Sequence, residues 1–404
     1  MISLFVCFMQ IGISFNRIFI MKETVMHGRK IIVGSVVIFV LGLIIFFKEK
    51  ELLNGYFSTV KLQLLTKCIS ENSLDIMNEK SMNEGIYYGY LEGLENSDTY
   101  YLNKEELKAA LIEARGDLFG VGLKVQWSLD EQYLIVSEVI PHSPADKAGI
   151  KLGDCITKLN GIQVVSINEA ELIKMLYTAG EIPVTYEVRR ESETIEVILT
   201  PEEIILEDFT IEIIDEVLYI DLKTIKEGIS DRLGQTLTTY QDKVKGVILD
   251  LRDLETDCIE EICKISDLFL NQDIAFKLES KKDGMVSFET QDGAYEMKLV
   301  LITNKNTKGG VEALVLALEE RAILLGGNTG GDTYINKIIA FEDETGMSVA
   351  MGIINNRYGG ALLEAGIEPD IRLYITEEEK LALLQKGYIT KEEDSYFQEA
   401  LKQF

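Results

Sequence analysis

Residues 301–320, LITNKNTKGGVEALVLALEE, read as an apolar strand, a glycine turn and an apolar helix. Such a turn displays one residue at a helix N-terminus, where backbone N–H groups and the helix dipole favour a nucleophile and its developing charge. The only hydroxyls in the stretch are Thr303 and Thr307, and the turn itself holds Gly309 and Gly310. Thr307 beside Lys308 is the nearest nucleophile–base pair, although adjacent side chains on a turn diverge and a solvated Lys308 is the plainer expectation. A second reactive set is the carboxylates Asp253, Glu255, Asp257 and Asp332. Converging at strand ends they would suit a divalent cation; scattered on loops they would only be solvated. The solvated reading is favoured, so no metal ligands and no cofactor are assigned. Met347 and Met351 are read as core.

Histidine chemistry is nearly excluded. The 404 residues contain two histidines, His27 and His142, too few for a histidine-rich metal site and poorly placed for a Ser-His-Asp triad. The five cysteines, Cys7, Cys68, Cys155, Cys258 and Cys263, are odd in number and scattered, which argues against a disulfide framework. The formal net charge of −27 removes the basic stripe that phosphate binding needs, so nucleic acid is not an expected partner.

The elements that must position these residues follow from periodicity. Residues 31–47, IIVGSVVIFVLGLIIFF, form an uncharged run close to the minimum bilayer span, with Arg17, Lys22, Arg29 and Lys30 ahead of it. This predicts a single-pass anchor with residues 1–30 in the cytoplasm (the start being Met1, Met21 or Met26) and the bulk of the chain extracytoplasmic at the cell membrane. Residues 52–115 carry helical spacing. From 118 the pattern turns to short strands, VGLKVQW, YLIVSEVI, CITKL, PVTYEV and TIEVIL, with one helix over 167–176, closing near Pro201. Beyond it strands alternate with helices near 226–240, 258–270 and 310–321, the signature of an α/β layered domain. Residues 376–404 read as charged amphipathic helices, suited equally to a dimer scaffold or to capping the chain's own core.

Two resemblances organise these elements. Residues 116–201 resemble a PDZ domain: a Gly-x-Gly-apolar loop at Gly120, Val121, Gly122 and Leu123, then Ser143-Pro144-Ala145, Ala148-Gly149, Gly153-Asp154 and Asn160-Gly161 at the family's spacing. Independently of the family, successive N–H groups of the 120–123 loop can converge on one anion, such as a peptide's terminal carboxylate. YYGYLEGLENSDTYYL upstream, and KGVILDLR, ILLGG and GIEPDI downstream, place residues 57–375 in resemblance to the carboxyl-terminal processing peptidases of family S41. The resemblance implies a crotonase-like α/β core over 202–375, a Ser-Lys catalytic dyad, and a PDZ domain that captures substrate tails and gates the site.

The dyad's residues do not carry over. In the family's serine-rich turn the nucleophile position falls on Gly309, with Asn304, Thr307 and Glu312 holding the register; the lysine base falls on Asp332 and its orienting glutamine on Asn336. The strand-end motif that feeds oxyanion amides reads Asp250-Leu251-Arg252-Asp253-Leu254-Glu255-Thr256-Asp257, losing two glycines and gaining charge of the wrong sign. The turn that is Thr-Pro-Ser-Gly in the family reads Asn356-Arg357-Tyr358-Gly359. Two functions stay open: a non-catalytic, membrane-anchored protein that binds protein or peptide C-termini, alone, as a homodimer or with an active relative; or an active serine-type peptidase with a relocated site.

Overall fold

The computed structural model describes residues 60–74, 78–94, 98–128, 132–167, 172, 175–176 and 182–404. The apolar run 31–47 and most of the helix expected over 167–176 lie outside these residues. Among the described residues, no helix is long and apolar enough to cross a membrane. The chain divides into units Met1–Asn83 and Glu84–Phe404, and the sheets and helices described below belong to the second.

Strands Phe209–Ile214, Val217–Leu222, Gly246–Asp250, Lys298–Thr303, Ile323–Gly326 and Ile371–Arg372 lie side by side in that order. The first pairing is antiparallel and the rest are parallel. A parallel sheet covered on both faces needs apolar residues at both alternations, which is why GVILD and KLVLIT read as continuous apolar runs. Leu218, Ile220, Val247, Leu249, Leu299 and Leu301 face helices Ile229–Tyr240, Ile259–Asp267 and Gly310–Leu318. Val217, Tyr219, Ile248, Val300 and Ile302 face the other way, onto Phe397 and Ala400 of helix Ser395–Leu401. Residues 376–404 thus include a helix that caps its own core. The helices near 258–270 and 310–321 are shorter than expected, because the chain turns out at Leu268 and Glu319.

A second, antiparallel sheet is built from Tyr100–Leu102, Gly346–Asn355, Ile274–Ser280 and Gly284–Glu289, with Tyr334–Ala340 also on Gly346–Asn355. The strand at 100–102 corrects the all-helical reading of 52–115. Met351 is 41% exposed, so it is not core; Ile354, three residues on, faces the opposite side of its strand and is.

The PDZ sheet runs Leu123–Trp127, Leu134–Val139, Cys155–Leu159, Val184–Arg190, Glu193–Leu199 around Leu134, Ile156, Leu159, Tyr186 and Val188. Its limits extend past Pro201: Leu118–Gly120 pairs antiparallel with Glu202–Ile204, so entry and exit strands meet. Adjacent ends are what allow one domain to be inserted in another. Helix Glu377–Lys386 lies behind this sheet, with the Gln126 side chain donating to the Leu383 carbonyl. Gly387, at φ +85°, sits so close that a Cβ there would stand 2.7 Å from Ile135 Cγ2. Cys68, Cys155, Cys258 and Cys263 are free thiols.

Candidate active site and peptide groove

The turn expected to display a nucleophile is present, and it is closed. Gly309 precedes helix Gly310–Leu318 at φ 56°, ψ −134°, a backbone conformation that L side chains rarely adopt. Residues Lys308–Gly309 pair in parallel with Glu255–Thr256, Glu255 opposite Lys308 and Thr256 opposite Gly309. The Lys308 N–H also donates to the Leu254 carbonyl at 3.0 Å. A Cβ at Gly309 would stand 2.9 Å from the Thr256 carbonyl oxygen, and one at Gly310 2.8 Å. The Thr256 carbonyl therefore lies where a side chain at position 309 would begin.

Both threonine hydroxyls of the turn are engaged. Thr307 is fully buried; its hydroxyl donates to the Leu251 carbonyl at 2.8 Å and accepts the Asn304 N–H at 3.1 Å. Thr303, also buried, donates to the Gly327 carbonyl at 2.9 Å. Both hydroxyls brace the turn. Asp253 does the same from outside, accepting from the side-chain amides of Asn304 and Asn306 at 3.0 and 2.7 Å.

Glu312 ties the two halves of the site together. It is fully buried and accepts hydrogen bonds from the Thr329 hydroxyl and, at 2.8 Å each, from the Gly331 and Asp332 N–H groups. Burial pushes its carboxyl up, against those three bonds. The helix that follows the turn thereby fixes the loop that carries Asp332. Asn336 donates its backbone N–H to Asp257 Oδ1 at 2.7 Å, and its own buried Oδ1 has no partner in the protein.

Around this turn Glu255 and Asp257 keep exposed side chains, as expected of loop acids, and Asp332 is half-buried. Although Asp257 is exposed, the chain packed around its carboxyl displaces enough water that desolvation comes first in pushing it up to about 6, against the Asn336 N–H; the charges of Glu255, Asp332 and Asp98 add to it. Desolvation likewise leads in raising the half-buried Asp332 and the exposed Glu255 and Glu113, with Asp332 acting on Glu255, Asp98 on Asp332, and Glu255 on Glu113. Lys308 opposes the shifts of Glu255 and Asp332. It is half-buried rather than solvated, its Cγ 2.6 Å from where a Cβ at Gly330 would stand. Asp253 stands apart from this group, and among the described residues no three acids, cysteines or histidines are placed to hold a metal ion. Nothing in the sequence pointed to Asp98 or Glu113, which lie more than 140 residues from Asp257 along the chain.

Asp257 makes a pH prediction. Its folded pKa of about 6 exceeds the unfolded value of about 3.9. The stability it contributes is present below the unfolded value and is lost as pH rises through about 6. Asp257→Asn is expected to gain on the wild type as pH rises from 4 to 7, read as the difference in denaturant midpoints. A difference that stays constant over that range would refute this crowding of acids.

The 120–123 loop is held from one side by backbone hydrogen bonds. The Ala145 N–H donates to the Val121 carbonyl at 3.0 Å and the Ile140 N–H to the Gly122 carbonyl at 2.9 Å. Across a trans peptide the N–H points opposite to the carbonyl, so those of Gly122 and Leu123 face away from the 140–145 turn. Gly122 has φ +77°, and a Cβ there would stand 2.2 Å from Ser143 Cβ, so glycine is required. Of the expected wall at 167–176, the described residues Leu172, Met175 and Leu176 pack on the PDZ core.

Two segments of the chain match known domain families. Residues 216–373 match peptidase family S41, and residues 135–190 match a PDZ domain. The chain carries a peptidase family S41 domain. Proteins similar to this chain include a CtpA-like serine protease of Staphylococcus haemolyticus, 21% identical over 345 residues that cover 83% of this chain and 69% of the relative. One of Staphylococcus aureus is 24% identical over 320 residues, 78% of this chain and 64% of the relative. The match thus spans about two thirds of the relatives' length. Among solved structures, the photosystem II D1 C-terminal processing protease aligns at TM-score 0.52 and 18% identity, over 80% of this chain and 90% of its own. An S41 protease from Bacteroides fragilis aligns at 0.53 and 15%, over 78% and 89%. At such identities these two establish the fold alone.

Proposed function

We propose that this S41 homologue binds protein C-termini through its PDZ groove and does not cleave them. The observation that carries the reading is the Thr256 carbonyl standing against Gly309, where an S41 nucleophile would project. Asp332 and Asn336 occupy the base and orienting positions, and acids surround them. The closed turn therefore lacks a nucleophile, a lysine base and neutral oxyanion amides at once. The carboxylate loop is the part of the machinery that keeps its form.

The test is a binding measurement on the full chain with peptides ending in a free apolar residue. Amidating the terminus is expected to weaken binding by about 1–3 kcal/mol, the scale of charge-assisted hydrogen bonds to a lost carboxylate. Equal affinity for free and amidated peptides would reject the loop at 120–123 as a carboxylate site.

The reading includes an anchor at 31–47, with the N-terminus cytoplasmic and the bulk outside. It is supported by the uncharged run and the basic residues that precede it. The full-length chain is expected to fractionate with membranes and to resist carbonate extraction. Recovery in the soluble fraction would reject the anchor.

A further inference from the structure

Strand Leu123–Trp127 is an edge strand: it pairs with Leu134–Val139, and among the described residues no strand pairs with its other side. The hydrogen bonds at its ends show which groups face that free side. The Gly122 carbonyl accepts from Ile140 and the Ser128 N–H donates to the Tyr133 carbonyl, both toward the partner strand. Alternation then points the N–H and C=O groups of Leu123, Val125 and Trp127 at the open edge. A register shift falls between Lys124 and Val125, with Lys124 opposite Glu138 and Val125 opposite Val136. The extra residue, Ser137, belongs to the partner strand, so the edge strand's own alternation is unbroken.

An added antiparallel peptide whose carboxylate sits on the 121–123 amides must follow this register. Its last residue lies beside Leu123, its third from last beside Val125 and its fifth from last beside Trp127. Trp127 opposes Leu134, a residue of the PDZ core, so the indole lies on the groove face. Gln126, by contrast, opposes Ile135 on the back, where helix Glu377–Lys386 packs. Trp127 is the chain's only tryptophan, and 37% of it is exposed at the end of the groove. We infer that Trp127 forms a far subsite that selects an aromatic or long aliphatic side chain at the fifth residue from the ligand's C-terminus. This rests on the proposed capture of C-termini and deepens it from a free apolar end to a two-point pattern.

The experiment uses the full chain and fluorescently labelled octapeptides that share a C-terminal valine and carry phenylalanine, leucine or glycine at the fifth position from the end. The phenylalanine and leucine peptides are expected to bind about tenfold more tightly than the glycine peptide. Trp127→Ala is expected to bring that ratio close to one, and Trp127→Phe to restore most of it. Tryptophan emission of the wild type should shift on adding unlabelled phenylalanine peptide. Binding of all three peptides with equal affinity by the wild type would overturn the subsite and leave capture standing. Failure of any free-carboxylate peptide to bind would overturn capture itself, and the subsite with it. The peptide-side comparison needs only the wild type, so it holds whether or not the variants fold.

Discussion

Gly309→Ser combined with Asp332→Lys is expected to leave peptide cleavage undetectable and to lower stability. The serine Cβ would meet the Thr256 carbonyl at 2.9 Å in a backbone conformation that L residues rarely adopt. Strain of this kind costs on the order of 1–3 kcal/mol. Relief requires the parallel pairing of Glu255–Thr256 with Lys308–Gly309 to open. Even then the acids at 255 and 257 would oppose an oxyanion, and loss of a single oxyanion donor already costs about a hundredfold or more in rate. Asn336, one methylene shorter than glutamine, would hold the new lysine poorly. Turnover is expected to begin only when residues 253–257 are replaced as well, because the parts of such a site act as a unit. Cleavage by the double variant alone would show that the strand at 255–256 is no obstacle.

Arg252→Ala is expected to destabilise the fold strongly. Arg252 forks onto Asp250, with Nη2 at 2.6 Å and Nε at 2.9 Å, and reaches Asp394 at 2.8 Å. Asp250 is nearly buried and also accepts from the Tyr219 hydroxyl at 2.8 Å; Asp394 caps helix Ser395–Leu401. Removing the guanidinium leaves two partly or fully buried carboxylates uncompensated, which costs about 3–5 kcal/mol. Arg252→Lys keeps the charge but not the fork, and should fall between. The measurement is the denaturant midpoint, with protease sensitivity of residues 395–401 as a local readout. An unchanged midpoint in Arg252→Ala would mean that this network does not hold the C-terminal helix.

Much of this arrangement was legible in the sequence because it is local. The apolar runs at 246–250 and 298–303 could only be strands buried on two faces, and the glycines at 309 and 310 marked a turn before a helix. The Gly-x-Gly pattern at 120–122 marked the loop, though not the φ of +77° that Gly122 adopts. What was not legible depends on partners distant in the chain. The charge change at 255 and 257 could be read, but their sequence does not show that Thr256 pairs with Gly309, so the steric closure was invisible. Asp250 and Arg252 looked like part of an oxyanion motif; their work as a clamp depends on Asp394, 142 residues away. An amphipathic helix at 395–401 declares that it will bury one face, not against what. The crowding of Asp257 comes from Glu255 and Asp332 and, to a lesser degree, from Asp98, brought near only by the folded chain.

The proposal that the chain binds C-termini without cleaving them is tested most directly by incubating the full chain with an unstructured reporter protein that ends in an apolar residue. Intact mass is followed over hours, and binding is measured in the same sample. The reporter is expected to bind and to keep its full mass. A reporter shortened from its C-terminus by the wild-type chain, with the shortening abolished by Thr307→Ala, would contradict this reading by placing a working nucleophile at the hydroxyl that the structure buries against Leu251.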